Sequence, residues 1–181
     1  MKRITHIVLI VFFVVIALSL STLAQGQDGC TRPLIAGKEN LIPEDYTGDV
    51  EDYPGAGSVS ADLSEDGNTL TVVFTTQEGW ELLETHLYVG NNEPDKSAPG
   101  RFPYKHDPVE NPDTDTYEIS LIESGISLDG SIFFAAHAAM QFTNSDGEIV
   151  EETAWAYGKK IPDRSRNWAM YFECTSATGQ N

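Results

Sequence analysis

Short runs in which every second residue is apolar, broken by tight-turn signals, constrain this chain more than any other feature. Val59, Ala61 and Leu63 alternate with polar residues, Ser64-Glu65-Asp66-Gly67-Asn68 supplies a turn, and Leu70, Val72 and Phe74 resume the alternation. That pattern is a β-hairpin. Further strands are predicted over 80–89, 116–121, 131–142, 149–157 and 167–174, with Asn144-Ser145-Asp146-Gly147 as a second hairpin turn. No stretch holds helical periodicity for three turns. About seven short strands with this punctuation predict an all-β fold, an antiparallel β-sandwich of Ig-like or jelly-roll type. The long interruption, 90–115, is rich in Pro, Asp and Asn, and a loop of that length is commonly functional or packed as a lid.

The ends of the chain bear on compartment. Lys2 and Arg3 precede twelve uninterrupted apolar residues, Ile7 to Leu18, and Ser19 to Ala24 then turns small and polar. Residues 1–24 therefore read as a signal peptide cut after Ala24, since the apolar run is short for a span of roughly 20 residues. Residues 25–56 carry Pro33, Pro43 and Pro54 with little periodicity and are expected to lie as an N-terminal arm across a β-domain at 57–174, followed by a tail at 175–181. Beyond Ala24, 9 basic residues stand against 28 acidic ones, a net charge of −19. Such a surface repels phosphate backbones and anionic lipid, which disfavours a nucleic-acid binder, and no later segment reads as a membrane span. Cys30 and Cys174 are the only cysteines. In an exported chain they read as one disulfide, stapling the arm to the last strand, for which loop closure gives on the order of 5 kcal/mol.

Strand periodicity sorts the candidate site residues by face. In 80–89, Leu83, Thr85, Leu87 and Val89 are expected inward, and Trp80, Leu82, Glu84, His86 and Tyr88 outward. In 131–142, Ile132, Phe134, Ala136, Ala138, Met140 and Phe142 form the apolar side, which leaves His137 on the other between small alanines. His106 lies in the long loop that could fold over that face. Glu84, His86, His106 and His137 thus form one candidate set for zinc or copper, while the simpler reading is that the same histidines pin the loop by hydrogen bonds. No catalytic residue is assigned, and no cofactor is firmly implied. Trp80, Tyr88, Phe102, Tyr104, Trp155 and Tyr157 form a second candidate, an aromatic platform for sugar rings or a protein partner. Trp168, Met170 and Phe172 are expected to alternate inward on the last strand. Asp107, Asp113 and Asp115 match no EF-hand spacing.

Taken as a set, several blocks resemble a module of secreted and cell-surface proteins of bacteria and archaea. They are Gly79-Trp80-Glu81-Leu82, Glu84-Thr85-His86-Leu87-Tyr88-Val89-Gly90 and Pro99-Gly100-Arg101-Phe102-Pro103-Tyr104-Lys105-His106, then Ala135-Ala136-His137-Ala138, Thr153-Ala154-Trp155-Ala156-Tyr157-Gly158 and Asn167-Trp168-Ala169-Met170-Tyr171-Phe172. The likeness covers about residues 57–173, with Arg101 where the module would carry glutamine. The resemblance implies an exported β-domain and carries no activity with it. The leading expectation is a secreted, non-catalytic module for extracellular binding, adhesion or matrix association, with a glycan or protein as partner. A metal-dependent extracellular enzyme or metal-binding protein is the alternative. A filament or coat subunit, self-associating through sheet edges, is the third.

Overall fold

Polar side chains close the turns that the alternation requires. The computed structural model describes residues 30–163 and 167–175; the expected signal segment, residues 25–29 of the arm and residues 176–181 of the tail lie outside them. At the first hairpin the Asp66 carboxylate accepts from the Ser64 hydroxyl at 2.6 Å and the Asn68 N–H at 3.1 Å, and Gly67 takes φ 71°. At the second, Asn144 Oδ1 accepts from the N–H groups of Asp146 and Glu148. Both turns stand where the sequence predicts them.

The chain is all-β and antiparallel. The described residues contain ten strands: β1 Cys30–Ala36, β2 Gly57–Leu63, β3 Thr69–Thr76, β4 Trp80–Gly90, β5 Tyr104–His106, β6 Thr114–Ser120, β7 Ser131–Thr143, β8 Ile149–Ala156, β9 Lys159–Lys160 and β10 Met170–Thr175. One short helix, α1 Leu121–Ser124, is capped by the Ser120 hydroxyl. Eight strands hydrogen-bond in the continuous order β5-β4-β7-β8-β1-β2-β3-β6, and β10 pairs with both β7 and β9. This sheet curls until it is nearly barrel-shaped, so the expected division of seven strands into two facing sheets is not what the pairing describes. The extra strands are the ones whose sequence hides them. β5 and β9 have three and two residues, and β1 contains Pro33.

The arm is accordingly not laid across the domain: its residues 30–36 form a strand in the middle of the sheet. Pro33 is opposite Ser58 of β2, and pairing with β8 begins at the next residue, Leu34, so the proline stands at the end of that ladder. The Pro33 carbonyl still accepts the Tyr157 N–H at 2.9 Å. Cys30 of β1 is bonded to Cys174 of β10, 144 residues away, with a Cα–Cα distance of 5.9 Å. The expected staple is present, and it joins two strands that are not neighbours in the sheet.

Two apolar clusters use the two faces. The inner one draws on residues from around the whole curve, among them Leu34, Val59, Val72, Phe74, Leu82, Leu87, Ile119, Phe134, Met140 and Phe172. The outer one gathers Phe102, Ala135, Trp155, Ile161, Ala169, Met170 and Tyr171 over β7 and β8, with Tyr88, Phe133, Tyr157 and Trp168 partly buried against it. β10 therefore serves both: Met170 belongs to the outer cluster and Phe172 to the inner, where a single inward side was expected. Gly158 permits the turn that precedes β9, because a Cβ there would meet the Tyr171 carbonyl at 2.1 Å.

Candidate metal centre

The decisive local event is a β-bulge. Leu82 of β4 pairs with Met140 of β7 and Glu84 pairs with Ala139, which leaves Leu83 as an extra residue. Leu82 stays in the inner cluster at 2% exposure, and after the bulge Thr85, Leu87 and Val89 continue inward. Glu84, His86 and Tyr88 are thereby aimed outward. This corrects the expected parity at the start of the strand: Trp80 and Leu82 belong to the inner side, and two adjacent leucines concealed the slip. Without the bulge, a strict period of two would put Glu84 and His86 on the face of Leu82.

Opposite β4, the long strand β7 keeps its alternation, with Ala136, Ala138 and Met140 inward and His137 outward. His86 and His137 are direct register partners, both buried at 7% exposure. Their Nδ1 atoms stand 3.3 Å apart, and the ring centroids 5.4 Å apart. As a hydrogen bond between imidazoles that distance is long. Two nitrogens bound to one tetrahedral zinc at about 2.0–2.1 Å each would stand about 3.3 Å apart. Half-buried Glu84 completes the group: its carboxylate and the two imidazoles each offer one ligand atom, all within 4.8 Å of one another. No other three or more His, Cys, Asp or Glu side chains are grouped so closely among the described residues.

The surroundings keep His137 in the form a metal needs. Burial, with His86 alongside, holds its pKa down at about 3, so its ring is neutral at ordinary pH. Trp155, its register partner on β8, lies edge-on at 4.9 Å, and Phe102 from the long loop packs against Trp155 at 6.1 Å. The loop thus covers this face through Phe102, as a lid would.

His106 does not join the set. Thr85 and His106 are register partners between β4 and β5, so His106 shares the inner side of the sheet. Its Nδ1–H donates to buried Asp115 at 2.8 Å, and its ring stacks on Tyr117 with centroids 4.4 Å apart. The Thr85 hydroxyl also donates to Asp115, and Tyr117 donates to the Thr85 carbonyl at 3.1 Å. Burial, with the Asp115 charge adding to it, pushes the Tyr117 phenol up to about 12. Strands β4, β5 and β6 meet here, so this network joins the two ends of the sheet by side chains. Sequence reasoning missed it. The available signal was a threonine among inward Leu and Val residues, with Asp115 and Tyr117 two apart.

The six aromatics divide likewise. Tyr88, Phe102, Trp155 and Tyr157 meet in the outer cluster, where Phe102 and Trp155 are buried. Trp80 and Tyr104 pack against the inner one, Trp80 on Phe142 at 4.5 Å. They do not form one shared surface. Neither His86 nor His137 lines the cavity of about 360 Å³ that includes Ile35, Tyr53 and Trp80, or the one of about 540 Å³ that includes Lys105, His106, Asp107, Glu110, Asn111 and Thr114. Compared with protein families, curated proteins and solved structures, the chain finds no match in any of the three, so the chemistry of the site rests on its geometry.

Proposed function

We propose that this protein is an exported β-domain that binds a divalent transition metal, zinc or copper(II), through Glu84, His86 and His137. The separation of the two Nδ1 atoms, 3.3 Å between buried register partners, carries this reading, because it suits two ligands of one tetrahedral ion better than a hydrogen bond. Imidazole nitrogens and a carboxylate without thiolate or thioether favour Zn²⁺ or Cu²⁺ over Cu⁺. Export is supported by the disulfide, by the basic and apolar start of the chain and by the resemblance to secreted modules. Melting with saturating zinc against excess EDTA tests the reading. Zinc at a hundred times its dissociation constant should raise the melting temperature by about 5–10 °C in the wild type, and by almost nothing in His137→Ala. Equal melting of the wild type in zinc and in chelator would overturn it.

The non-catalytic module that binds a glycan or protein, the leading expectation from the sequence, becomes the second reading. The cavity of about 540 Å³ beside His106 favours it, since Asn111, Thr114 and Asp107 there suit a hydroxyl-rich ligand. Glycan-array binding lost in Asn111→Ala would support it, and an array without hits would remove the glycan form.

A further inference from the structure

Beyond the three ligands, the outer face holds a row of side chains set by register. Lys105 of β5 is opposite His86 of β4, His86 is opposite His137 of β7, and His137 is opposite Trp155 of β8. Directly opposed residues share a face, with Cβ atoms roughly 5 Å apart. The row therefore runs from an exposed cation through two buried imidazoles to a buried indole. On the indole side the centre is sealed by Trp155 and Phe102, at 3% and 6% exposure. On the other side Glu84 is half-buried and Lys105 exposed, so solvent and ligands approach there. Like the other four lysines among the described residues, Lys105 is in neither of the two ion pairs found there.

We propose that the metal centre takes a small two-oxygen anion, a carboxylate or phosphate group, as its exogenous ligand, with one oxygen on the metal and the other on the Lys105 ammonium. This rests on the metal reading. Three protein ligands leave a tetrahedral ion one open position. Two neutral imidazoles and one carboxylate leave a divalent ion with one net positive charge, and Lys105 adds a second beside the open position. A neutral ligand gains nothing from the second charge. An anion gains from both, and one with two oxygens spans the gap between them.

Cobalt(II) is the probe, because its visible d–d bands report ligand exchange directly. Cobalt-loaded full-length protein is titrated with acetate, with inorganic phosphate and with neutral imidazole, in the wild type and in Lys105→Met. Acetate or phosphate should shift the bands in the wild type, and Lys105→Met should weaken that anion about a hundredfold, the effect of one charge at about 6 Å near a protein surface. Imidazole should bind both proteins alike, and cobalt affinity itself should not fall, since Lys105 is not a ligand. Cobalt bands that neither anion shifts, or anion affinities equal in the two proteins, would overturn the proposal and leave the metal site standing. Absence of cobalt bands in the wild type would overturn the metal reading, and this proposal with it.

Discussion

Adjacent residues of one strand lead to two polar clusters of opposite character. Thr85 points inward to Asp115, Tyr117 and His106; His86 points outward to His137 and Glu84. In the inner cluster donors and acceptors match. The Asp115 carboxylate accepts from the Thr85 hydroxyl and the His106 imidazole, and Tyr117 donates to a backbone carbonyl. In the outer cluster two like groups face each other at 3.3 Å, a long distance for a hydrogen bond, and a carboxylate stands by. A matched network is complete as it is and holds the ends of the curled sheet together. An array of acceptors around one point is what a cation would complete. Burial alone does not separate the two, since Thr85, Asp115, His86 and His137 are all buried.

The largest effect is expected where the matched network is broken. Asp115→Ala removes the acceptor shared by Thr85 and His106 and leaves the Thr85 hydroxyl buried without that partner. The expected cost is about 3 kcal/mol, or roughly 6–12 °C in melting temperature. Zinc affinity of the folded variant should be unchanged, because Asp115 is on the other face. A loss of zinc binding at temperatures where the variant is fully folded would show that the two faces are coupled, and the contrast drawn between them would fail.

Much of this contrast was legible in the alternation. The outward position of His86 and His137 follows from period two on long strands, although their pairing is an assumption until the register is known. The strands at 59–63, 70–74 and 149–157 fall where period two puts them, within a few residues. Three things were not legible. The bulge at Leu83 moves Trp80 and Leu82 to the inner face, and two consecutive leucines fit either parity. The side of His106 depends on β5, three residues whose pairing with β4 is fixed only in the folded chain. The strand Cys30–Ala36 was concealed by Pro33, which stands just where its pairing with β8 ends. Each is a tertiary fact laid over a correct local pattern. Lys105 was missed for the same reason as His106: its place opposite His86 is a matter of register.

Acid should separate the faces next, in metal-free protein. His137 is held neutral, with a pKa near 3, while in the unfolded chain it titrates near the ordinary 6.5. Between those values the unfolded chain binds more protons, so stability is complete above about pH 6.5, falls as pH drops and levels off near 3. By pH 5 this one group should cost about 2 kcal/mol. Urea unfolding of wild type and His137→Asn at pH 7 and pH 5 measures it. The wild type should lose more stability than the variant by about that amount; equal losses would mean that the ring protonates readily in the folded state and is not buried as described.

The smallest effect expected is the one that decides whether the outer cluster has three ligands or two. Glu84 is half-buried and accepts no hydrogen bond from a neighbouring strand in the way that Glu81 accepts one from Gln141 at 2.7 Å. Glu84→Gln keeps the shape and removes the charge, so stability without metal should change by less than about 0.5 kcal/mol. A carboxylate oxygen is a much better ligand for zinc than a neutral amide oxygen, and its charge offsets part of the ion's. Zinc affinity by isothermal calorimetry at pH 7 should therefore fall about tenfold, with the two imidazoles still holding the ion. His86→Ala should weaken binding far more, since it removes one of the paired nitrogens. Unchanged zinc affinity in Glu84→Gln would reduce the centre to a two-histidine site, and with it the role of the bulge at Leu83 in aiming a carboxylate at the metal.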